Sequence, residues 1–338
     1  MAGHTETDFE KAIEYGLIAN GGYAKGDPKT FDPAIALFPD EVLAFIRASQ
    51  AARLAQLEAM LKDRTAATII DSLTKELASK GALGVLRHGF KCYGKELRLA
   101  YFQPNSAMNP EAAARYATNR LTVTRQVEFI SDVLKRGDGT KRKCILDVVL
   151  SVNGLPVVTV ELKNPLTGQR AEDARKQYCT DRDGRDAIFR FKERALVHFA
   201  VDPDEAWMAT ELKGTDTFFL PFNRGHRHGA GNPPVPGNWK THYVWDEVLA
   251  RDSLLDILQR FMHLDVSERR VETPTGFRVI RKESMIFPRY HQLDVVRRLV
   301  GHTRANGSGR NYLIILQDRS EGACGVDFAP FSAAPPQH

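Results

Sequence analysis

The run from Ile145 to Pro165, ILDVVLSVNGLPVVTVELKNP, constrains this chain more than any other stretch. Two apolar segments rich in β-branched residues meet at Asn153-Gly154, a pairing that predicts a β-hairpin. Only Asp147, Glu161 and Lys163 carry charge within it. Desolvating an unpaired carboxylate is costly, so charges in a buried hairpin need a compensating partner. Strand side chains alternate faces, which puts Glu161 and Lys163 on the same side. If Asp147 shares that side, two carboxylates and an ammonium converge. Mg²⁺ takes oxygen ligands and is commonly held by one or two carboxylates, with room left for water and a substrate phosphate. Asp147 and Glu161 are therefore the expected metal ligands. Lys163 is expected to orient a water or to stabilise developing negative charge. The expected reaction is hydrolysis of a phosphodiester at a site of the PD-(D/E)xK type.

The plainer alternative is a half-buried hairpin with a surface Asp and a solubilising Glu-Lys pair, and for an isolated D…ExK match it would prevail. Three neighbouring features weigh against it: the flanking apolar runs, the intervening turn, and the basic cluster Lys135, Arg136, Lys141, Arg142 and Lys143 just upstream, placed to hold a DNA backbone.

The turn decides whether the site can exist. A two-residue loop, Asn153-Gly154, pairs Val152 with Leu155 and turns Asp147 away from Glu161. A three-residue loop, Val152-Asn153-Gly154, pairs Ser151 with Leu155 and sets Asp147 opposite Thr159 on the face of Glu161 and Lys163. The second register is expected, unless a bulge elsewhere restores the parity.

The remaining chain narrows the class. With 338 residues and 43% hydrophobic content it can bury one large core or two modest ones. Its net charge of +5 leans only weakly toward polyanions. Cys92, Cys144, Cys179 and Cys324 show neither CxxC pairing nor zinc spacing, so a reducing, cytoplasmic setting is expected. No apolar segment suits a signal peptide or a bilayer span.

Periodicity predicts a helix from Thr5 to about Ile18, then helical patterning from Asp40 through Leu61 and from Ser72 to Ser79. Strands are predicted over Leu97–Phe102, Leu121–Phe129, Cys144–Ser151, Val157–Lys163 and Ala195–Val201, with a helix over Arg170–Tyr178. Short strands are suggested at Trp207–Leu212 and Phe218–Pro221, and a helix at Ser253–His263. His226 and His228 lie in the Gly/Pro-dense stretch from Asn223 to Asn238 and receive no role. Gly89 to Lys95, GFKCYGK, begins like a phosphate loop, but Glu96 stands where Ser or Thr would bind magnesium, so a turn is expected there.

The linked segments VELKNPLTGQ, AEDARKQY, TDRDGRDAIFRF, VHFAVDPDEAWMAT, TFFLPFNRG and IFPRYHQLDVVRRLV resemble the amino-terminal part of the restriction (R) subunit of type I restriction-modification enzymes. The resemblance runs from Thr5 to about Ile314. It implies an α/β, restriction-endonuclease-like core, a mixed sheet flanked by helices, with a helical insertion near 40–95. It implies metal-binding roles for Asp147 and Glu161, a catalytic role for Lys163 and a supporting role for Gln177 and Tyr178. Relatives space that Gln and Tyr four apart, whereas here they are adjacent and Asp181 occupies the later position. Glu10 resembles an acidic residue on the family's first helix that approaches the metal, with Glu6 and Glu14 as competitors.

The implied activity is that of a type I site-specific deoxyribonuclease, with Mg²⁺ as cofactor. The implied partners are double-stranded DNA and the modification and specificity subunits. The expected organisation is a nuclease domain over 1–265, a linker over 266–286, the start of a motor domain over 287–315 and an irregular tail over 316–338. Arg289 to Gln292 resemble the element with which such motors touch adenine. No GxxxxGK[ST] loop follows Asn311 to Ile314. Productive ATP binding is therefore not expected here, although the family requires ATP, and the chain reads as a subunit cut short before its phosphate loop. The rival expectations are a noncatalytic DNA-binding or interaction remnant and a stand-alone repair nuclease.

Overall fold

The computed structural model describes residues 6–104, 108–135, 137–164, 168–226, 230–273, 276–307, 309, 311–317 and 325–331. Helix α1 (Glu6–Ala19) buries Phe9, Ile13 and Leu17, a stripe of helical period facing the core. After the short strand β1 (Ala24–Lys25) come α2 (Pro39–Ser49), α3 (Ala51–Leu61) and α4 (Thr65–His88), the helices expected in this region. They bury Val42, Phe45 and Ile46, then Leu54, Leu57 and Leu61, then Ile69, Leu73 and Leu77. A small hairpin of β2 (Phe90–Cys92) and β3 (Lys95–Leu97) turns at Tyr93-Gly94, so the phosphate-loop look-alike is indeed a turn.

Helix α5 (Pro110–Ala117) precedes the long antiparallel strands β4 (Leu121–Lys135), β5 (Lys141–Val152) and β6 (Leu155–Leu162). Helix α6 (Ala171–Thr180) leads to β7 (Val197–Val201), which lies parallel to β6. Antiparallel β8 (Ala206–Ala209) and β9 (Leu220–Pro221) complete a mixed seven-stranded sheet, ordered β1-β4-β5-β6-β7-β8-β9. Val148, Leu150, Val158, Val160 and Phe199 face one core with α1 and the middle helices. Val149, Ala200, Tyr178 and Phe189 form a second core on the side of α6. Helix α7 (Arg251–Asp256), continued by a π-helical turn over Ile257–Phe261, is followed by an antiparallel ribbon of β10 (His263–Thr273) and β11 (Gly276–Ile286). Helix α8 (Tyr290–Asn306) and the pair β12 (Asn311–Gln317) and β13 (Gly325–Phe331) end the described chain. Among the described residues no helix is long and apolar enough to cross a membrane.

The β5–β6 hairpin departs from the expected register in an instructive way. Val152 pairs with Leu155 around a two-residue Asn153-Gly154 loop, both residues at positive φ (50° and 85°), as a type I′ turn requires. The three-residue loop expected from the sequence is thus corrected. Ser151 then pairs with Pro156, but Leu150 pairs with Val158, so Val157 is an extra residue in β6. Pro156 has no N–H to give to the ladder, and a bulge beside it removes the demand. This bulge restores the parity that the tight turn alone would have destroyed. Asn153 is locked by its own amide, which accepts from Arg120 N (2.7 Å) and donates to Leu99 O (2.8 Å) and Asn119 Oδ1 (3.0 Å).

Gly154 sits against the start of α2, where its carbonyl accepts from Phe38 N at 2.9 Å. A Cβ there would fall 2.5 Å from Phe38 O, at a positive φ as well. Gly154→Ala is expected to cost about 2–3 kcal/mol of stability, read as a lower urea midpoint with an unchanged denaturant slope. An unshifted midpoint would mean that the turn is not held against α2.

Other elements differ from the sequence expectations for identifiable reasons. Leu97–Phe102 is not a strand beyond Leu97, because its backbone bonds go to side chains. Gln50 clasps residue 98 from both sides (Oε1 from Arg98 N, 2.7 Å; Nε2 to Arg98 O, 2.9 Å), and Asn119 Oδ1 accepts from Tyr101 N at 3.0 Å. The stretch 266–286, read as a connector, is the β10–β11 ribbon; with most of its residues exposed it lacks the apolar alternation by which a half-buried strand is recognised. Residues 325–331 pair with 311–317 inside the stretch expected to be irregular. Residues 318–324 and 332–338 of that stretch, Arg136 of the basic cluster, and His228 lie outside the described residues.

Candidate active site

Continuing the Val148–Val160 register by one residue sets Asp147 of β5 directly across from Glu161 of β6. A side chain-to-backbone bond fixes the arrangement: Leu162 N donates to Asp147 Oδ2 at 2.7 Å. Lys163, just past the end of β6, keeps the face of Glu161, and its own N–H donates to Val201 O of β7 at 3.0 Å. Asp147 is half-buried, whereas Glu161 is fully buried and Lys163 is 8% exposed. The three charges read from the hairpin are therefore brought together on one face.

Glu161 is gripped from α6 and the loop after it. Gln177 Nε2 donates to Glu161 Oε2 at 2.9 Å, and Arg182 Nε donates to Glu161 Oε1 at 2.8 Å, with Nη2 in ion-pair contact with the same oxygen at 2.8 Å. Arg182 also donates to Ile145 O (2.6 Å) and Asp181 O (2.9 Å), so its guanidinium ties the acid to β5 as well. Sequence reasoning missed Arg182. In TDRDGRD nothing separates it from Arg185, yet Arg182 is buried and Arg185 is exposed.

Tyr178 does not reach the carboxylates. It is fully buried, and its hydroxyl meets Thr159 Oγ1 at 2.9 Å, while Thr159 Oγ1 also bonds His198 Nδ1 at 2.8 Å. Adjacency explains the difference from Gln177: on a helix, neighbours point about 100° apart, so Gln177 takes the acid and Tyr178 takes the core. The helix itself is seated by two carboxylates at its start. Asp202 Oδ2 accepts from Ala171 N and Asp173 Oδ2 accepts from Arg170 N, both at 2.8 Å, satisfying N-terminal donors.

Glu10 is buried on α1 but turned toward β4. It accepts from Arg125 Nε at 2.7 Å and from Gln126 Nε2 at 3.2 Å, with Glu14 on the same guanidinium at 3.1 Å. The pairs Arg125–Val148 and Val127–Leu146 set Gln126, at a positive φ of 53°, across from Asp147. Gln126 thus stands between Glu10 and the carboxylate row. Three cations of the basic cluster upstream form surface ion pairs: Lys141 with Asp132 (2.7 Å), Arg142 with Asp181 (3.0 Å) and Lys143 with Glu128 (2.7 Å).

Burial, reinforced by the facing Asp147 carboxylate, pushes the Glu161 carboxyl well up from its usual range, against the pull of Arg182 and Lys163. Burial also works against the Arg182 charge, but the Glu161 carboxylate outweighs it and raises that group. Two neighbouring carboxylates are a donor set that suits Mg²⁺, which commonly uses one or two protein carboxylates. Each carboxylate oxygen has a second lone-pair site, so the bonds from Gln177, Arg182 and Leu162 leave coordination capacity. Among the described residues, no group of three or more His, Cys, Asp or Glu is placed to hold a metal ion, so the fit rests on two carboxylates.

Comparison with curated proteins and with solved structures finds no match. A family model, type I restriction enzyme R protein N terminus, matches residues 40–217. That span covers β4 to β8, α6 and every residue placed around Glu161, and the mixed sheet flanked by helices is consistent with a restriction-endonuclease-like fold. Matched over more than half of its length, the chain belongs to the family of type I restriction enzyme R protein N termini.

Proposed function

We propose that this chain is a Mg²⁺-dependent DNA endonuclease, the nuclease portion of a type I restriction subunit. One observation carries the reading: the β5–β6 register sets Asp147 across from Glu161, with Lys163 on the same face. Asp147 and Glu161 would hold the metal, which would supply Lewis-acid polarisation of the phosphate and a more acidic water. Lys163, almost enclosed, places its ammonium where negative charge develops on the phosphate and orients the attacking water. Gln177 and Arg182 keep Glu161 in one orientation, so its carboxylate is set before substrate arrives. Tyr178 acts behind them by fixing Thr159 and the floor of α6. Glu10 acts through Gln126, steadying β4 beside Asp147.

The proposed partners are double-stranded DNA and, for assembly, the modification and specificity subunits. Hydrolysis itself draws on the hairpin and needs no nucleotide. Gln292, placed in the adenine-contacting element by resemblance, accepts from Arg289 N at 3.0 Å and so caps α8.

The test is conversion of supercoiled plasmid to nicked circles with Mg²⁺ or with EDTA, using the native chain, Asp147→Asn and Lys163→Ala. Nicking that needs Mg²⁺ and falls about 10²–10³-fold in Lys163→Ala is expected. Equal nicking by all three chains would assign the activity to a contaminant. No nicking by a folded native chain would favour a noncatalytic remnant.

A further inference from the structure

We propose that the β10–β11 ribbon is a DNA-contacting arm that lays one cationic face against the phosphates of a duplex. The ribbon is anchored at its base. Glu283 pairs with Lys192, Thr210 Oγ1 donates to Met285 O at 2.8 Å, and Met285 and Phe287 are buried. Beyond that base, residues 266–270 and 277–282 are all exposed. Each strand has 11 residues, so the arm spans about 35 Å at ~3.4 Å per residue, roughly one turn of B-DNA. Two strands lie about 5 Å apart, and a ribbon of that width enters a major groove about 12 Å wide.

The register is unbroken from His263–Ile286 to Thr273–Gly276, so the two faces follow from parity alone. One face carries the pairs Ser267–Lys282, Arg269–Ile280 and Val271–Arg278. It presents three cations over that length, with a single carboxylate, Asp265 of the pair Asp265–Ser284, toward the base. The opposite face carries Val266–Glu283, Glu268–Arg281, Arg270–Val279 and Glu272–Phe277. There three acids meet two cations, and Arg281 bonds Glu283 at 3.0 Å. Segregation of charge by face is what separates this arm from an ordinary solvated hairpin.

Arg269, Arg278 and Lys282 make no ion pair among the described residues, unlike Lys141, Arg142 and Lys143 of β5. Lys282, nearest the base, shares the lining of a cavity of about 480 Å³ with Glu211 and Asp216, so Arg269 and Arg278 carry most of the effect. They alternate between the two strands, two residues apart along the ribbon, which suits contact with successive phosphates. A polyanion is the partner such a face selects, and duplex DNA fits its length and width.

This inference rests on the nuclease reading for its choice of DNA, but its test does not. Binding of a duplex oligonucleotide to the full chain is measured in EDTA by anisotropy over a range of salt concentrations. Arg269→Ala/Arg278→Ala is expected to weaken binding on the order of tenfold at moderate salt and to reduce the log–log salt slope by about 2, since each phosphate contact contributes ~0.9. Arg269→Lys/Arg278→Lys should keep the slope, and Arg270→Ala, on the balanced face, should leave it unchanged. Thermal melts confirm that each variant is folded, as exposed sites should allow.

An unaltered slope in the double Ala variant overturns the proposal. So does an equal loss in Arg270→Ala, or a native chain that binds no duplex. A chain that binds through the ribbon yet cuts nothing sinks the nuclease reading alone. One that cuts while the double Ala variant binds as the native chain does sinks this inference alone.

Discussion

Replacing Arg182 with Ala is expected to cost about 3–5 kcal/mol of folding stability, the usual penalty for removing one partner of a buried ion pair. Arg182 Nε donates to Glu161 Oε1 at 2.8 Å, and the same guanidinium also serves two backbone carbonyls, Ile145 O and Asp181 O. Without it, a fully buried carboxyl faces Asp147 with only Gln177 and Lys163 to offset the charge. The carboxyl then escapes the penalty only by taking up a proton, which also spoils it as a metal ligand. Arg182→Lys should recover little, because an ammonium cannot reproduce a planar guanidinium that reaches Glu161, Asp181 O and Ile145 O with three separate nitrogens. Urea unfolding of the metal-free chain measures the cost. A loss below about 1 kcal/mol would mean that the acid is already neutral beside the guanidinium and that the pair contributes little.

The position of Arg182 marks the boundary of what the sequence makes legible here. Asp147, Glu161 and Lys163 stand out because they are the only charges in a long apolar run, and a charge in such a run must have a purpose or a partner. The strands and helices around them are legible for the same reason: Phe9, Ile13 and Leu17, or the run ALVHFAV, carry a clear period. The partner of the charges is not legible, since Arg182 lies in a loop where charged residues outnumber uncharged ones and burial there is decided by tertiary packing.

The turn shows a signal that was present but outweighed. Gly154 suits both a type I′ turn and a G1 bulge, so the dipeptide alone cannot choose between them. Pro156 can, because a proline in a central strand is confined to a bulge, and this one shifts the parity of everything beyond it. Gln177 and Tyr178 illustrate a third limit. The resemblance implied a supporting role for both despite their adjacency, and helical geometry sends one to the acid and the other to the core. The basic cluster shows the same limit: Lys141, Arg142 and Lys143 find Asp132, Asp181 and Glu128, brought close by strand pairing or by the end of α6.

His198 gives the second large effect, on stability against pH. Its imidazole is fully buried in β7, bonded to Thr159 Oγ1 at 2.8 Å and ringed by Tyr178 and Phe189. Burial pushes its pKa from 6.5 down to about 3, because the charged ring would lose its hydration with no carboxylate to replace it. The folded chain therefore binds fewer protons at this site than the unfolded chain wherever the pH lies between those values. The stabilisation from neutral His198 is complete above pH 6.5 and is lost as pH falls toward 3, at up to about 1.4 kcal/mol per unit. His198→Gln removes the titration while offering Thr159 another polar partner. At pH 7.5 the variant should be the less stable chain, for lost packing. Between pH 7 and 4.5 its disadvantage should shrink by about 2–3 kcal/mol, since only the native chain has an imidazole to protonate. Guanidinium unfolding at several pH values reads this directly. Parallel curves for the two chains would show that His198 can be charged in place, and that the Thr159–Tyr178 floor beneath Glu161 is open to water.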